Sequence, residues 1–151
     1  MNASRAQTVP HLFDLLVRAV LIMSFIRSSF LGLVGAGALC WGLEYYAPEL
    51  SKEFLAVFLA LTASAYFGSG LSDGRWSVLT LETLVSVAVF IMALGGLWGS
   101  WIWLVMGYGV HGLWDLGHRP HLIGAKVAHT WFPPTCWAFD WVVGLYIFLT
   151  F

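Results

Sequence analysis

The chain has few charged residues, and what it lacks excludes several classes of protein. Only 10% of its 151 residues are Asp, Glu, Lys or Arg, whereas about a quarter are charged in typical soluble domains. The formal net charge is -1 with only seven scattered Lys and Arg, so we expect no surface for nucleic acid. Two cysteines are too few for a disulfide framework. Glycine-rich phosphate loops, HExxH and CxxC do not occur either.

Hydrophobic residues take the place of the missing charges. They make up 60% of the chain, and the mean hydropathy is +0.82. Their runs are too long and too many for the core of a soluble domain of this size. Because a helix needs roughly 20 mostly apolar residues to cross a bilayer, the runs predict an all-α integral membrane bundle with about five spanning helices. The predicted spans are residues 29–47, 53–72, 77–97, 98–117 and 135–151.

A charged segment precedes the first predicted span. In it, His11, Asp14 and Arg18 are spaced i, i+3 and i+7, so they share one face of a helix. This pattern favours an amphipathic helix in the membrane interface over a spanning one, because spanning would put Arg18 near mid-bilayer at a cost of about 3 kcal/mol. We therefore expect an N-terminal interfacial region, 1–28, followed by a transmembrane bundle, 29–151.

The basic residues predict an orientation, because cytoplasmic loops of membrane proteins carry an excess of Lys and Arg. If the first span runs outwards, six of the seven basic residues are cytoplasmic and Lys52 alone is outside. We therefore expect the N-terminus in the cytoplasm and the C-terminus outside. The six cytoplasmic residues would be Arg5, Arg18, Arg27, Arg75, Arg119 and Lys126.

This orientation brings most intramembrane titratable groups to the cytoplasmic third of the bundle. His111, Asp115 and His118 are spaced i, i+4 and i+7, so they share one face near the end of the fourth span. Glu82 in the third span and Asp140 in the fifth lie at a similar depth. Since charged groups inside a bilayer are costly and by default functional candidates, these five residues form the predicted site.

Carboxylates mixed with imidazoles are typical of zinc or iron sites. Glu82 would then be the general acid/base, with Asp115 as a second catalytic carboxylate. Trp114, on the face that carries Asp115, is expected to wall the cofactor pocket, and Cys136 is expected to be a plain apolar residue rather than a ligand. The expected metal ligands are His111, Asp115, His118, His129 and Asp140.

The same residues could also have purely structural or solvent-facing roles. Histidines near an interface often face headgroups and water. Glu82 or Asp140 could be protonated and hydrogen-bond one helix to another, and His111 with Asp115 could be a structural bridge. Glu44 lies toward the opposite face and is expected to be solvated. Most of the nine tryptophans are explained by the aromatic belts at the two interfaces.

The stretch HGLWDLGHRPH followed by WFPPTCWAFDWVVGLY resembles the C-terminal half of an uncharacterised family of small bacterial membrane proteins. The family pattern reads HxxWDxxHH, then a Tyr-Pro-Pro-like turn and an aromatic-Asp pair. The resemblance covers roughly residues 98–151 and departs from the pattern at Arg119, in place of a second histidine, and at Phe132, in place of a tyrosine. It implies a location in the bacterial inner membrane and supplies no activity. The residues it singles out are His111, Trp114, Asp115, His118, Pro133, Pro134 and Asp140.

Three functions follow as expectations. The first is a metal-dependent enzyme, using zinc or iron, that acts on a membrane lipid or another hydrophobic small molecule. The second is a non-catalytic subunit or assembly factor of a larger respiratory or photosynthetic complex, whose tryptophan-rich faces contact partner membrane subunits. The third, a small-solute or proton-linked transporter, is disfavoured because no inverted repeat or interrupted pair of helices is evident.

Overall fold

A computed structural model of the chain describes residues 8–118 and 130–151, with side chains from residue 14 onwards. Within these ranges the chain forms five helices and no strand. The helices are α1 (Thr8–Leu43), α2 (Pro48–Asp73), α3 (Trp76–Trp98), α4 (Trp101–Gly117) and α5 (Phe132–Thr150). The all-α helical bundle expected from the sequence is confirmed.

Four of the helices are long and apolar enough to cross a membrane, as expected of a membrane protein. α4 has 17 residues, or roughly 26 Å at 1.5 Å per residue, which is slightly less than the ~30 Å thickness of a hydrocarbon core. It nevertheless packs against α3, α5 and α2 as a full member of the bundle. The four candidate spans are Asp14–Leu43, Pro48–Asp73, Trp76–Trp98 and Phe132–Thr150.

The boundary expected at residue 28 is not a break in the structure, because α1 continues from Thr8 to Leu43. No proline lies near this point to interrupt the backbone hydrogen bonds of the helix. The C-terminal half of α1 packs on α5, and a Cβ added at Gly32 would lie only 2.1 Å from the Thr135 carbonyl oxygen. Residues 14–27, in contrast, are almost all exposed. The placement of this N-terminal part in the membrane interface stays a prediction.

Contacts between helix termini define two ends of the bundle. At one end, which we call the Gly99 end, Lys52 Nζ donates to the Gly99 carbonyl oxygen at 2.6 Å. At the other, the Gly74 end, α2 and α3 are joined by a turn in which Gly74 has a left-handed φ of 80°. There Thr135 Oγ1 donates to the Ser28 carbonyl oxygen at 3.0 Å, so the start of α5 is level with the middle of α1.

The interior of the bundle is apolar toward one end and polar toward the other. Large aliphatic side chains fill the half toward the Gly99 end, and they include Leu55, Leu59, Leu104, Val143 and Ile147, each almost fully buried. Every buried charged or imidazole side chain among the described residues lies toward the Gly74 end. These are Glu82, His111, Asp115, His118 and Asp140. The apolar half holds the helices together, and the other half positions a set of polar groups.

Candidate functional site

Four helices each bring one polar side chain to the same depth. Tyr66 on α2, Glu82 on α3, His111 on α4 and Asp140 on α5 lie six to eight residues from the terminus of their helix at the Gly74 end. At 1.5 Å per residue, this depth is about 9 to 12 Å. All four side chains are almost completely inaccessible to solvent. The helix ends therefore set a common level at which these groups meet inside the bundle.

One group of side chains, which we call the His111 cluster, consists of His111, Asp115 and Asp140. His111 Nδ1 lies 2.6 Å from Asp140 Oδ2 and 3.6 Å from Asp115 Oδ2. One potential ligand atom from each residue lies within 4.8 Å of the other two. All three residues are buried, so the cluster has the residue types and the spacing of three ligands to one metal ion.

A glycine permits the contact between His111 and Asp140. A Cβ added at Gly112 would lie 3.3 Å from the Asp140 Cβ and 2.6 Å from Cδ1 of the Trp141 indole. The absence of a side chain therefore lets α4 and α5 approach closely beside the cluster. The Trp141 indole covers this seam and is itself 48% exposed on the outside of the bundle.

The charges of the His111 cluster do not balance. It contains two carboxylates and one imidazole, which supplies at most one positive charge. In the part of the chain that the structure describes, no Lys or Arg forms an ion pair with Asp115 or Asp140. Because an uncompensated charge buried in an apolar bundle is very costly, the cluster must take up a further proton or a cation to be neutral.

Three polar atoms of the cluster also lack a hydrogen bond: His111 Nε2, Asp115 Oδ2 and Asp140 Oδ1. The backbone of Thr62 lies near the His111 ring and acts on it as a weak hydrogen-bond partner. Buried polar atoms are nearly always paired, so each exception calls for an explanation. An ion held between the two carboxylates would satisfy their free oxygens.

A second group, the Glu82 cluster, consists of Glu82, Trp114 and His118. Glu82 Oε1 lies 2.8 Å from His118 Nε2, and Glu82 Oε2 accepts from the Trp114 indole N-H at 3.0 Å. His118 Nδ1 donates to the Trp114 carbonyl oxygen at 3.0 Å. Here one carboxylate faces one imidazole, so the pair is neutral whether the proton is on the glutamate or on the ring. Both oxygens and both ring nitrogens have partners.

Tyr66 lies between the two clusters. Its hydroxyl donates to Asp115 Oδ1 at 2.5 Å, and its ring centroid is 4.1 Å from that of the His118 imidazole. The sequence did not single out Tyr66, because an aromatic residue in an apolar run carries no charge signal. A signal was available in its position, seven residues before the end of α2 at Asp73, which matches the depth of Glu82.

The structure separates the expected ligands into these two clusters. It brings His111, Asp115 and Asp140 together as expected, whereas His118 pairs with Glu82 rather than with them. Of the five expected ligands, four lie within the described residues, and three of these four are grouped. Glu82, expected as general acid/base, contacts the indole and imidazole of its own cluster.

The remaining expected residues have separate positions. Trp114 contacts Glu82 through its indole N-H. His129 lies outside the described residues. Cys136 is close enough to Asp115 and Asp140 to interact electrostatically, but it is not one of the grouped ligands.

Glu44 lies apart from both clusters, toward the Gly99 end of the bundle. It is exposed, and it accepts a hydrogen bond from the Tyr146 hydroxyl at 2.7 Å. This position agrees with a solvated side chain outside the site.

A family model described as "Family of unknown function (DUF6010)" matches residues 30–150 of the chain. The matched residues include Tyr66 and all of the His111 and Glu82 clusters. No curated protein matches the chain, and no solved structure does either.

Proposed function

The chain belongs to the DUF6010 family, whose function is unknown, and from this premise we propose that it is a membrane metalloenzyme. It binds one divalent ion, zinc or iron, at His111, Asp115 and Asp140, and it acts on a membrane lipid or another hydrophobic small molecule. The observation that carries this proposal is the His111 cluster, which is buried, has its ligand atoms within 4.8 Å and contains two carboxyl groups for one imidazole.

The residues of the cluster fit such an ion. Imidazole and carboxylate are both ligands of zinc and of iron. Two carboxylates carry two negative charges, so one divalent ion makes the cluster neutral while His111 remains an uncharged ligand. The carboxylate oxygens that have no hydrogen bond, Asp115 Oδ2 and Asp140 Oδ1, are then available as ligand atoms. Because His118 pairs with Glu82, it is not a ligand. The proposed ligand atoms are therefore one imidazole nitrogen of His111 and oxygens of Asp115 and Asp140.

The chemistry of such a site is divided between the ion and the chain. When bound, the ion supplies a Lewis acid that polarises substrate oxygen and lowers the pKa of a bound water. The chain contributes an apolar, enclosed position about 9 to 12 Å below the bundle end, which excludes bulk water. The Glu82 and His118 side chains hold a proton between Oε1 and Nε2 at 2.8 Å, and we assign them the acid/base role.

The substrate class rests on the surroundings of the cluster. The helices that enclose it present large apolar side chains to the outside, among them Leu113 and Leu145. The half-exposed Trp141 indole lies over the seam between α4 and α5 at Gly112. A lipid or another hydrophobic molecule in the bilayer therefore meets the cluster at this seam, whereas a charged solute does not.

We also propose a bacterial inner-membrane location, with the N-terminus in the cytoplasm and the C-terminus outside. Among the described basic residues, Arg18, Arg27 and Arg75 lie toward or beyond the Gly74 end, and Lys52 lies at the Gly99 end. This asymmetry supports a cytoplasmic Gly74 end by the positive-inside rule. If α4 crosses the membrane together with the four longer helices, the two termini are on opposite sides.

The test is a metal analysis of the full chain, purified in detergent after removal of any histidine tag. We expect about one zinc or iron ion per wild-type chain, and we expect His111→Ala and Asp115→Ala to lose it, because each removes a ligand. Glu44→Gln serves as a control, because Glu44 lies near the other end of the bundle. A wild-type protein that binds no ion, even after incubation with zinc or ferrous iron, would refute the proposal.

The enzymatic part needs its own measurement. Wild-type protein and Asp115→Ala would each be reconstituted in vesicles of bacterial lipid extract, and the lipids followed by mass spectrometry with and without a chelator. We expect a lipid species to change only with the ion-loaded wild type. A protein that binds the ion tightly but changes no lipid would restrict the function to ion binding.

A second candidate, a non-catalytic subunit of a larger membrane complex, is favoured by the N-terminal part of α1. Its large apolar side chains, such as Leu15, Val20 and Ile22, are more than half exposed. Extraction from native membranes in a mild detergent tests this candidate. Partner proteins in fixed stoichiometry would support it, and a chain that elutes alone would count against it.

A further inference from the structure

We infer that Tyr66 is the positioning residue of the ion site, and that through Tyr66 the Glu82 cluster determines how the His111 cluster binds its ion. The inference rests on the proposed ion site and extends it to a residue on a third helix. Tyr66 contacts no ion in this assignment. Its hydroxyl acts on Asp115, and its ring contacts the imidazole of His118 and, at a longer centroid distance of 5.8 Å, that of His111.

The two carboxylate oxygens of Asp115 make different contacts. Oδ1 accepts the hydrogen bond of the Tyr66 hydroxyl at 2.5 Å, whereas Oδ2 makes no hydrogen bond and lies 3.6 Å from His111 Nδ1. The hydroxyl therefore fixes the rotation of the carboxylate about its last bond. One oxygen is held toward α2, and the other is left facing His111 as a free ligand atom.

Tyr66 itself has a fixed position. The residue is only 1% exposed, and three rings pack near its own: the His118 imidazole at a centroid distance of 4.1 Å, the His111 imidazole at 5.8 Å and Phe132 at 6.1 Å. A buried ring packed against others has little freedom to rotate away from Asp115.

Further contacts connect Tyr66 to the Glu82 cluster. The imidazole stacked on Tyr66 is immobilised at both ends, because His118 Nε2 pairs with Glu82 and Nδ1 donates to the Trp114 carbonyl oxygen. The chain of contacts thus runs from Glu82 to His118, from His118 to Tyr66 and from Tyr66 to Asp115. The two clusters share no polar atom, and the tyrosine is the contact through which one orients the other.

Hydrogen bonds to metal ligands orient those ligands, and their removal typically costs about 10- to 100-fold in metal affinity. We therefore expect Tyr66→Phe, which removes only the hydroxyl, to keep one ion per chain and to weaken zinc binding by about 10- to 100-fold. The affinity would be measured on the full chain in detergent by competition with a chromophoric chelator. Cobalt would be bound in parallel, because its visible absorption spectrum reports the ligand geometry, and we expect this spectrum to change.

The matched control is Tyr108→Phe. Tyr108 is also a fully buried tyrosine, and its hydroxyl donates to the Leu55 carbonyl oxygen at 2.9 Å rather than to a residue of either cluster. The variant therefore loses an equivalent buried hydrogen bond. We expect it to keep the zinc affinity and the cobalt spectrum of the wild type. Comparing Tyr66→Phe with this control separates the role of Tyr66 from any general effect of losing a buried hydroxyl.

A second variant replaces Tyr66 by 3,5-difluorotyrosine, which keeps the ring and the donor but changes the strength of the hydrogen bond. We expect zinc affinity close to that of the wild type and a shifted cobalt spectrum. This variant also tests the inference if Tyr66→Phe does not fold.

The outcomes separate the inference from the proposed function. A wild-type chain that binds no ion would overturn both. Ion binding by the wild type, with unchanged affinity and cobalt spectrum in Tyr66→Phe, would overturn the role of Tyr66 alone. An unshifted cobalt spectrum in the difluorotyrosine variant would do the same.

Discussion

His111 and His118 lie on the same helix, about two turns apart, and each faces a carboxylate from a neighbouring helix. His118 meets Glu82 of α3 at 2.8 Å, and His111 meets Asp140 of α5 at 2.6 Å. The difference lies in the groups around these pairs. The first pair is completed by an indole and a carbonyl oxygen, whereas the second is joined by Asp115, a further carboxylate with an oxygen that makes no hydrogen bond.

The contrast shows how similar residues in similar burial can serve different purposes. A neutral, fully paired group needs no bound ion, and in the proposed function it has the acid/base role. A group with an excess carboxylate is stable only with a bound cation or proton. Charge balance and unpaired atoms, rather than the presence of histidine and acid, therefore mark the His111 cluster as the proposed binding site. The following variants test this contrast, from the largest expected effect to the smallest.

Asp140→Asn should have the largest effect, because it removes a ligand charge from the His111 cluster without changing side-chain volume. We expect ion binding to weaken by more than about 100-fold, beyond the usual loss for an outer partner. Glu82→Gln is the equivalent change in the other cluster and should weaken binding far less. Zinc competition titrations measure both. Equal losses in the two variants would show that the clusters do not differ in function.

His118→Ala should destabilise the folded chain by about 3–5 kcal/mol, because it removes the imidazole that faces the buried Glu82 carboxylate. Asp115→Asn, in contrast, should leave the ion-free chain unchanged or stabilise it by about 1 kcal/mol, because it removes an excess buried charge. Denaturation in detergent with a chelator present gives both values. A destabilisation of similar size in Asp115→Asn would mean that the charges of the His111 cluster are already balanced.

Gly112→Ala should act on one cluster and spare the other. The new Cβ would contact Trp141 and the Asp140 Cβ, so we expect α5 to shift, at a cost of about 1–3 kcal/mol and with weaker ion binding. Gly109→Ala on the same helix has open space around the new Cβ and should stabilise the helix by up to about 1 kcal/mol. If both variants bind zinc as the wild type does, the close approach at Gly112 is not needed for the site.

Glu44→Gln should have the smallest effect. Glu44 is exposed and bonded only to Tyr146 among the described side chains, at the end of the bundle remote from both clusters. We expect stability within about 0.5 kcal/mol of the wild type and unchanged ion binding. A clear change in ion affinity would show that charge acts over the whole bundle rather than locally.

Much of the fold could be predicted because apolar runs of spanning length are a strong signal. The runs predicted the bundle and most of its helices, and the spacing of His111 and Asp115 predicted their common face. The predicted continuation of that face to His118 was also right, since both histidines point into the bundle. The extent of α1 was not predicted, because charged residues indicate where a helix meets water and not where its backbone hydrogen bonds end.

The division into two clusters could not be predicted from spacing. α4 packs between α3 and α5, so which neighbour faces a given turn depends on how the helices cross. His118 therefore meets α3 and His111 meets α5, although the two residues share a face. Tyr66 was missed for a different reason. Its role depends on a hydroxyl at the depth of Asp115, and its position at that depth is the one signal that distinguishes it from the other aromatic residues.

The attachment of α1 has a mechanical consequence. α1 packs chiefly against α5, through the contacts at Gly32 and the bond from Thr135 to Ser28, and α5 carries Asp140. A helix longer than the hydrocarbon layer adjusts to bilayers of different thickness by changing its tilt. We therefore expect a change in the tilt of α1 to be transmitted to the helix that brings Asp140 to His111, and the thickness of the surrounding lipid to affect the geometry of the proposed ion site.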